Sequence, residues 1–385
     1  MKKLKIGLLP KILISIALGI GAGLVVPEWA ARIFVTFNGI FSQFLGFVIP
    51  LIIVALVATA IADIGNKAGK MLLVTVAIAY GSTVFAGLVS YFTGASLFPS
   101  MIESGAGMEG VSDAEALVPY FSVNIPPLMG VMTALVLAFT VGLGLASTQH
   151  KTLMEATHGF EEIMVKTIKV AIIPLLPIYI FGIFLDMAYV GKVFTVLGVF
   201  IKIIGVIFVI HIGILLLQFM IAGAVTKKNP FRLLWNMLPA YFTALGTQSS
   251  AATIPVTLEQ TRRNGVSEDI AGFTVPLCAT IHMAGSTLKI VACALALMIM
   301  MGMPYDLGMF AGFICMLGIT MVAAPGVPGG AIMASLGLLS GMLGFSAEAQ
   351  ALMIALYIAM DSFGTACNVT GDGAIALIVD RIFKK

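Results

Sequence analysis

Long apolar runs separated by short polar stretches set the rhythm of this chain. The runs fall at about 6–27, 31–63, 71–98, 118–149, 163–190, 193–226, 268–302 and 347–380. Each reaches the ~20 residues a helix needs to cross a bilayer, and several are long enough to tilt. The pattern predicts eight transmembrane helices. The first run is read as the first of them and not as a signal peptide, because no small-residue cleavage pattern with a polar sequel follows.

Two further apolar stretches do not fit as spans. The stretch 229–265 runs between TKKNP and TRRNG, basic at both ends, and its two arms meet at GTQSSAATIP. The stretch 304–346 holds two arms around AAPGVPGGA, with Asp306 at one end and Glu348 just beyond the other. No Lys or Arg occurs between Lys289 and Arg381. Each arm is too short to cross, so each stretch reads as a re-entrant hairpin, one from each face. A loop joining two core helices is the other reading of either. Non-helical backbone lies at membrane depth only where protein or a water-filled cavity receives it. Two such hairpins at matching places, each just before a full span, point to a transporter with inverted repeats.

Composition agrees. Of 385 residues, 60% are hydrophobic and 10% charged, against about 25% charged in soluble domains. The expected fold is therefore an all-α integral membrane protein. The net charge of +3 is too small to suggest a nucleic-acid partner. If the spans alternate, one side collects Lys2, Lys3, Lys5, Lys67, Lys70, Lys151, Lys227, Lys228, Arg262, Arg263, Arg381, Lys384 and Lys385. The other side receives Arg32, Lys192 and the acidic loop of Glu103, Glu109, Asp113 and Glu115. The positive-inside rule then places both termini in the cytoplasm of a multi-pass protein of the cell (inner) membrane. Cys278, Cys293, Cys315 and Cys367 lie in apolar segments without CxxC spacing, which supports neither a metal cluster nor a disulfide framework.

The last apolar run carries DSFGTACNVTGD. On a helix, Asp361, Thr365, Asn368 and Asp372 share one face, at i, i+4, i+7 and i+11. Carboxylates in hydrocarbon are costly and usually face a bundle interior and a ligand. Two of them three turns apart could hold two cations, a substrate amine and a metal ion, with Asn368 and nearby carbonyls completing an oxygen shell. A polar stripe packed on another helix is the plainer alternative. In GTQSSAATIP, backbone N–H groups and serine hydroxyls at the start of a short helix suit a carboxylate, or the serines simply cap it. APGVPGGA lets backbone approach a ligand closely, or is a flexible turn. In CATIHMAGSTLK, residues Gly285, Ser286 and Thr287 could break the helix. His282 and Lys289 are ionisable groups inside a span, where a functional role is the default. Hydrogen-bonded packing of His282, and snorkelling of Lys289 to an interface, are the alternatives.

These residues carry a resemblance. The chain resembles the dicarboxylate/amino acid:cation symporters, the family of the excitatory and neutral amino acid transporters and their prokaryotic glutamate-transporting relatives. The likeness spans essentially the whole chain and is strongest from Gly246 to Asp372: SSAATIPVT matches the family's first hairpin tip, PGVPGGA its second, and NVTGD a specific signature. The resemblance implies a sodium-coupled symporter that is not an enzyme, has no cofactor, and works in the bilayer as a homotrimer by an elevator mechanism. Residues 1–66 would hold the first two scaffold helices, and 67–117 the third, mobile helix with an external loop. Residues 118–190 would hold scaffold helices four and five. Residues 191–385 would form the rest of the transport domain, with the hairpins at about 229–265 and 304–346.

Carried over residue by residue, Asp361 would hold the substrate amine. Asn368 and the region of Ser249 and Ser250 would hold its carboxylate. Thr365, Ser286, and the backbone from Val327 through Gly329 to Gly330 would line the pocket. Asp372, with carbonyls of Cys278, His282 and Asn368, would coordinate one sodium ion. Carbonyls of Thr280, Met321, Val322 and Ala324 would form a second site.

The chain also departs from the family. Where the family has Asn-Met-Asp-Gly-Thr, this sequence has His282-Met283-Ala284-Gly285-Ser286, and the third-helix partners map to Tyr80, Thr83 and Val84. A third sodium site is expected to be absent. Coupling would then use two sodium ions, or fewer with a proton on His282, whose unperturbed pKa is about 6.5. Gly364 stands where acidic amino acid carriers place an arginine for the side-chain carboxylate. Without that bidentate partner, a neutral amino acid is the expected substrate. Lys289, replacing a family tyrosine, could supply the missing cation and return the specificity to an acidic amino acid or C4-dicarboxylate, or it could stand in for the lost sodium. From other classes, an ion channel would also use carbonyl-lined hairpins. A hydrolase is disfavoured, since three helical turns part the two aspartates by ~16 Å.

Overall fold

The computed structural model describes residues 8–66, 69–104, 117–148, 150–191, 193–324 and 329–383. Val327 and the rest of 325–328 lie outside these, as do Lys2, Lys3, Lys5, Lys67, Lys192, Lys384, Lys385 and the acidic residues of 105–116. The described residues are mostly helical, and no strand occurs among them. In chain order the helices are α1 (Leu8–Gly23), α2 (Glu28–Asn66), α3 (Lys70–Met101), α4 (Val131–Thr148), α5 (Lys151–Thr167) and α6 (Ile173–Tyr189). Then follow α7 (Val193–Thr226), α8 (Pro230–Thr247), α9 (Ser250–Arg263), α10 (Glu268–Ile281) and α11 (Ala284–Met300). The chain ends with α12 (Leu307–Val322), α13 (Gly330–Leu343), α14 (Ala347–Ala359) and α15 (Asp361–Phe383).

A π-helical turn, Ile168–Ile172, joins α5 to α6. It precedes Pro174 and Pro177, which lack the N–H that regular α-helical bonding needs. Among the described residues, counting α5–α6 and α10–α11 as one each, five helices are long and apolar enough to cross a membrane, and α14–α15 is a sixth if its 61° bend is kept within one span. Helices α1 and α4 have only 16 and 18 residues.

In three of the expected runs the helix is shorter than read or is broken. The run at 118–149 becomes helical only from Val131. Pro126 and Pro127 disfavour the helical backbone before them, and the extended segment instead lies along α2. There Arg32 Nε donates to Val118 O at 2.8 Å, and Tyr120 N to Thr36 Oγ1 at 2.9 Å. The run at 268–302 breaks at His282–Met283. The run at 347–380 breaks at Met360, so DSFGTACNVTGD does not lie mid-helix. It opens α15.

The two short helix pairs form where the sequence places hairpins. Pro230 sits in the first turn of α8 behind Asn229, whose side chain accepts from Phe231 N and Arg232 N. Ser249 caps α9 by accepting from Ala252 N. Asp306 caps α12 by accepting from Met309 N, and Gly329, at φ +75°, admits the chain to α13. The arms have 18 and 14 residues in α8–α9, and 16 and 14 in α12–α13, short of the ~20 that span. The same succession therefore occurs twice: a helix pair, then a broken helix.

Packing follows two groupings. Helix α1 lies along α6, and α2 along α4 and α5, while α15 is ringed by α7, α8, α9, α10 and α11. All 17 residues of α11 are buried, the signature of a helix enclosed on every side. Gly285 lets α11 meet α15: a Cβ there would lie 2.5 Å from Cys367 Cβ and 2.6 Å from the Gly364 carbonyl.

Candidate functional site

The spacing read from the sequence holds on α15. Asp361, Thr365, Asn368 and Asp372 are all buried; Asn368 and Asp372 meet the break between α10 and α11, and Asp361 lies beside Lys289 of α11. Helix α11 starts there with free N–H groups, as every helix does. Asn368 caps them from across the interface: its Oδ1 accepts from Gly285 N at 2.7 Å and Ser286 N at 3.4 Å. Its Nδ2 donates to Ser286 Oγ at 3.1 Å and to the Met283 sulfur at 3.3 Å. Sulfur is a weak acceptor, so one amide hydrogen is available to a better one. Ser286 Oγ also accepts from Tyr357 Oη at 3.1 Å. Thr365 Oγ1 donates back to the Asp361 carbonyl at 3.2 Å.

At the first turn of α15, Asp361 Oδ2 accepts from Gly329 N at 2.8 Å, which ties α15 to the start of α13. Lys289 Nζ lies 3.8 Å from Asp361 Oδ1 and donates instead to Met360 O at 3.1 Å. It also sits 4.0 Å from the Tyr357 ring centre, within cation–π range. The lysine is 1% exposed. It does not snorkel, because α11 is enclosed and Asp361 offers a nearer counter-charge. A Cβ built on Gly364 would collide with Lys289 Nζ and Cε. The ammonium thus fills the volume that a side chain at 364 would enter.

Three turns along, His282 Nδ1 donates to Asp372 Oδ1 at 2.9 Å and lies 3.3 Å from the Asn368 carbonyl. On the far side of the ring, Ser82 Oγ is 3.1 Å from Nε2, and Gln218 Nε2 donates to Ser82 Oγ at 3.0 Å. The imidazole therefore contacts two of the oxygens expected around a sodium ion. Asp372 Oδ2, deeply buried, has no hydrogen-bond partner among the described residues, so it retains lone pairs for a cation. The Cys278 carbonyl accepts from His282 N at 2.9 Å.

The remaining expected residues fall nearby. Helix α9, opened by Ser249 and buried Ser250, packs on α15. Met321, Val322 and Ala324 lie at the C-terminus of α12, which touches α10, the helix that carries Thr280 near its end. Helix C-termini leave carbonyls free, the ligand type a hard cation takes. Of the third-helix residues, Thr83 Oγ1 accepts from Met283 N at 3.3 Å, and Tyr80 Oη donates to Cys315 O at 3.2 Å.

A model of the sodium:dicarboxylate symporter family matches residues 8–382. The chain belongs to the sodium:dicarboxylate symporter family. It is a membrane transporter of the symport type and not an enzyme. Among curated proteins, it is similar to the serine/threonine transporter SstT of Acinetobacter baumannii strain ATCC 17978, 26% identical over 399 residues. The SstT of strain AYE is likewise 26% identical, over 402 residues. In each case the match covers 98% of this chain and 97% of the relative.

Within this symporter, four site features escaped the sequence reading: Tyr357, the Met360 carbonyl, Ser82 and Gln218. Ser82 and Gln218 had a usable signal, since isolated polar residues in apolar spans are functional candidates. Tyr357 and the Met360 carbonyl had none, because the bend that presents them involves no proline or glycine at the break.

Proposed function

We propose that this symporter couples sodium to the movement of a small neutral amino acid. Its binding site would lie between α11, α15 and the tips of the two helix pairs. Asp361 takes the substrate amine. The Asn368 Nδ2 hydrogen that rests on the Met283 sulfur, the Ser249–Ser250 turn and the start of α13 take the carboxylate. Asp372 and the carbonyls of Cys278, His282 and Asn368 hold one sodium ion, and those of Thr280, Met321, Val322 and Ala324 a second. The carrying observation is the Asp361–Lys289 pair in the place of a residue-364 side chain. Its charges sum to zero, and a zwitterion adds none. An acidic amino acid would add a negative charge to a dry site, where uncompensated charge is expensive. The relatives' names, serine/threonine transporters, agree with a small neutral substrate.

We further infer that the two helix pairs are re-entrant and of inverted orientation, that both termini are cytoplasmic in the inner membrane, and that the protein is a homotrimer. In this reading α3 and α7–α15 form the moving part of an elevator, and α1, α2 and α4–α6 its scaffold. The groupings in the packing support that division. The test is uptake by reconstituted protein under an imposed sodium gradient. Serine, threonine or alanine should accumulate, and aspartate and succinate should not. Sodium-driven uptake of aspartate or succinate alone would overturn the reading. It would favour Lys289 as the reader of an acidic side chain, and Lys289→Ala should then abolish it.

A further inference from the structure

The lysine at the amine-binding carboxylate poses a physical question. A zwitterionic substrate brings its own ammonium to Asp361, so a second, built-in ammonium beside the same oxygens opposes binding. Yet Asp361 is 5% exposed and Lys289 1%. A lone carboxylate at that depth is unfavourable whenever no substrate is present. The geometry is that of a loose, exchangeable pair. Lys289 Nζ is 3.8 Å from Oδ1, beyond hydrogen-bond reach, and its hydrogen bond goes to the Met360 carbonyl. The Tyr357 ring face gives the ammonium a second resting surface. Gly364 gives it room, since any side chain there would occupy the same volume. Asp361 Oδ2 meanwhile holds Gly329 N at the start of α13, so the charge state of this pair bears on the second helix pair as well.

We propose that Lys289 is an internal counter-cation. It neutralises Asp361 in the empty carrier and yields that carboxylate to the substrate amine in the loaded one, which allows the empty site to change its access between the two faces. This rests on the assignment of Asp361 to the amine. The lysine weakens substrate binding and, in return, completes the cycle.

The experiment compares binding, net uptake and exchange in reconstituted wild type, Lys289→Met and Gly364→Ala. Methionine keeps the length and apolar stem without the charge, while alanine at 364 keeps the lysine and denies it its place. With serine as probe, Lys289→Met should bind roughly tenfold tighter, the gain expected if about nine-tenths of empty sites hold the lysine at Asp361. Net uptake into serine-free vesicles should fall by a similar factor, while exchange in serine-loaded vesicles, which never requires an empty carrier to reorient, should persist. Gly364→Ala should change both in the same direction. It decides the matter if Lys289→Met proves unstable by gel filtration in detergent. Parallel loss of net uptake and exchange, or no change in either, with wild type binding serine, would overturn the lysine's role alone. A wild type that binds none of the amino acids would remove the amine assignment first, and the proposal with it.

Discussion

The two ends of the polar stripe on α15 solve the same problem differently. Each has a buried carboxylate, and each is met by an ionisable side chain from the α10–α11 region. At Asp372 the partner is close: His282 donates at 2.9 Å and is backed by Ser82 and Gln218 from α3 and α7. At Asp361 the partner stands off at 3.8 Å, and the closer contact is Gly329 N from the second helix pair. A fixed hydrogen-bond chain orients a carboxylate and leaves its other oxygen for an ion. A loose ion pair neutralises a carboxylate and leaves it able to change partners. The first arrangement suits a cation site, the second a substrate site that must fill and empty.

The sharpest break of this comparison is Asp361→Asn. It leaves Lys289 charged and buried without its counter-charge, which should cost ~3–5 kcal/mol in thermal unfolding in detergent. Adding Lys289→Met to the same chain should recover most of that loss. A double variant no more stable than Asp361→Asn alone would mean the two residues are not energetically paired.

His282→Ala tests the other end. It strips a donor from Asp372 Oδ1, a loss of ~1–3 kcal/mol for a buried group left unsatisfied. A cation should take over part of that role, so the deficit measured in choline chloride should shrink in sodium chloride. A deficit equal in both salts would count against a cation at Asp372. Gln218→Leu is the mildest change. Only the outermost link of the chain is lost, so an effect of ~0.5–1.5 kcal/mol is expected. A larger one would place Gln218, and not His282, as the main support of that end.

Much of this site was legible in the chain, for reasons that are local. The 4-3-4 spacing of Asp361, Thr365, Asn368 and Asp372 fixes a helix face whatever surrounds it. The helix pairs announced themselves through arms too short to span, flanking charges and the turn residues between the arms, and the structure adds the caps Asn229, Ser249 and Asp306. What stayed hidden depends on contacts between helices distant in sequence. Gly364 marked an absent side chain, but only the approach of α11 across Gly285 reveals that Lys289 fills the gap. The bend at Met360 has no proline or glycine at the break to signal it. Its carbonyl turns toward a lysine 71 residues away. Hydropathy alone also carried the fourth span back to residue 118, where the two prolines and the hydrogen bonds to α2 hold the chain extended.

The proposed division of labour gives Asp361 the substrate amine and Asp372 the coupling ion. Calorimetric titration of serine at several sodium concentrations, on wild type, Asp361→Asn and Asp372→Asn, tests it most directly. Asp372→Asn should still bind serine, with its sodium dependence moved to higher concentration. Asp361→Asn should fail to bind serine at any sodium concentration. Sodium restoring serine binding to Asp361→Asn, or identical sodium profiles for the two variants, would contradict the division of labour between the two ends of α15.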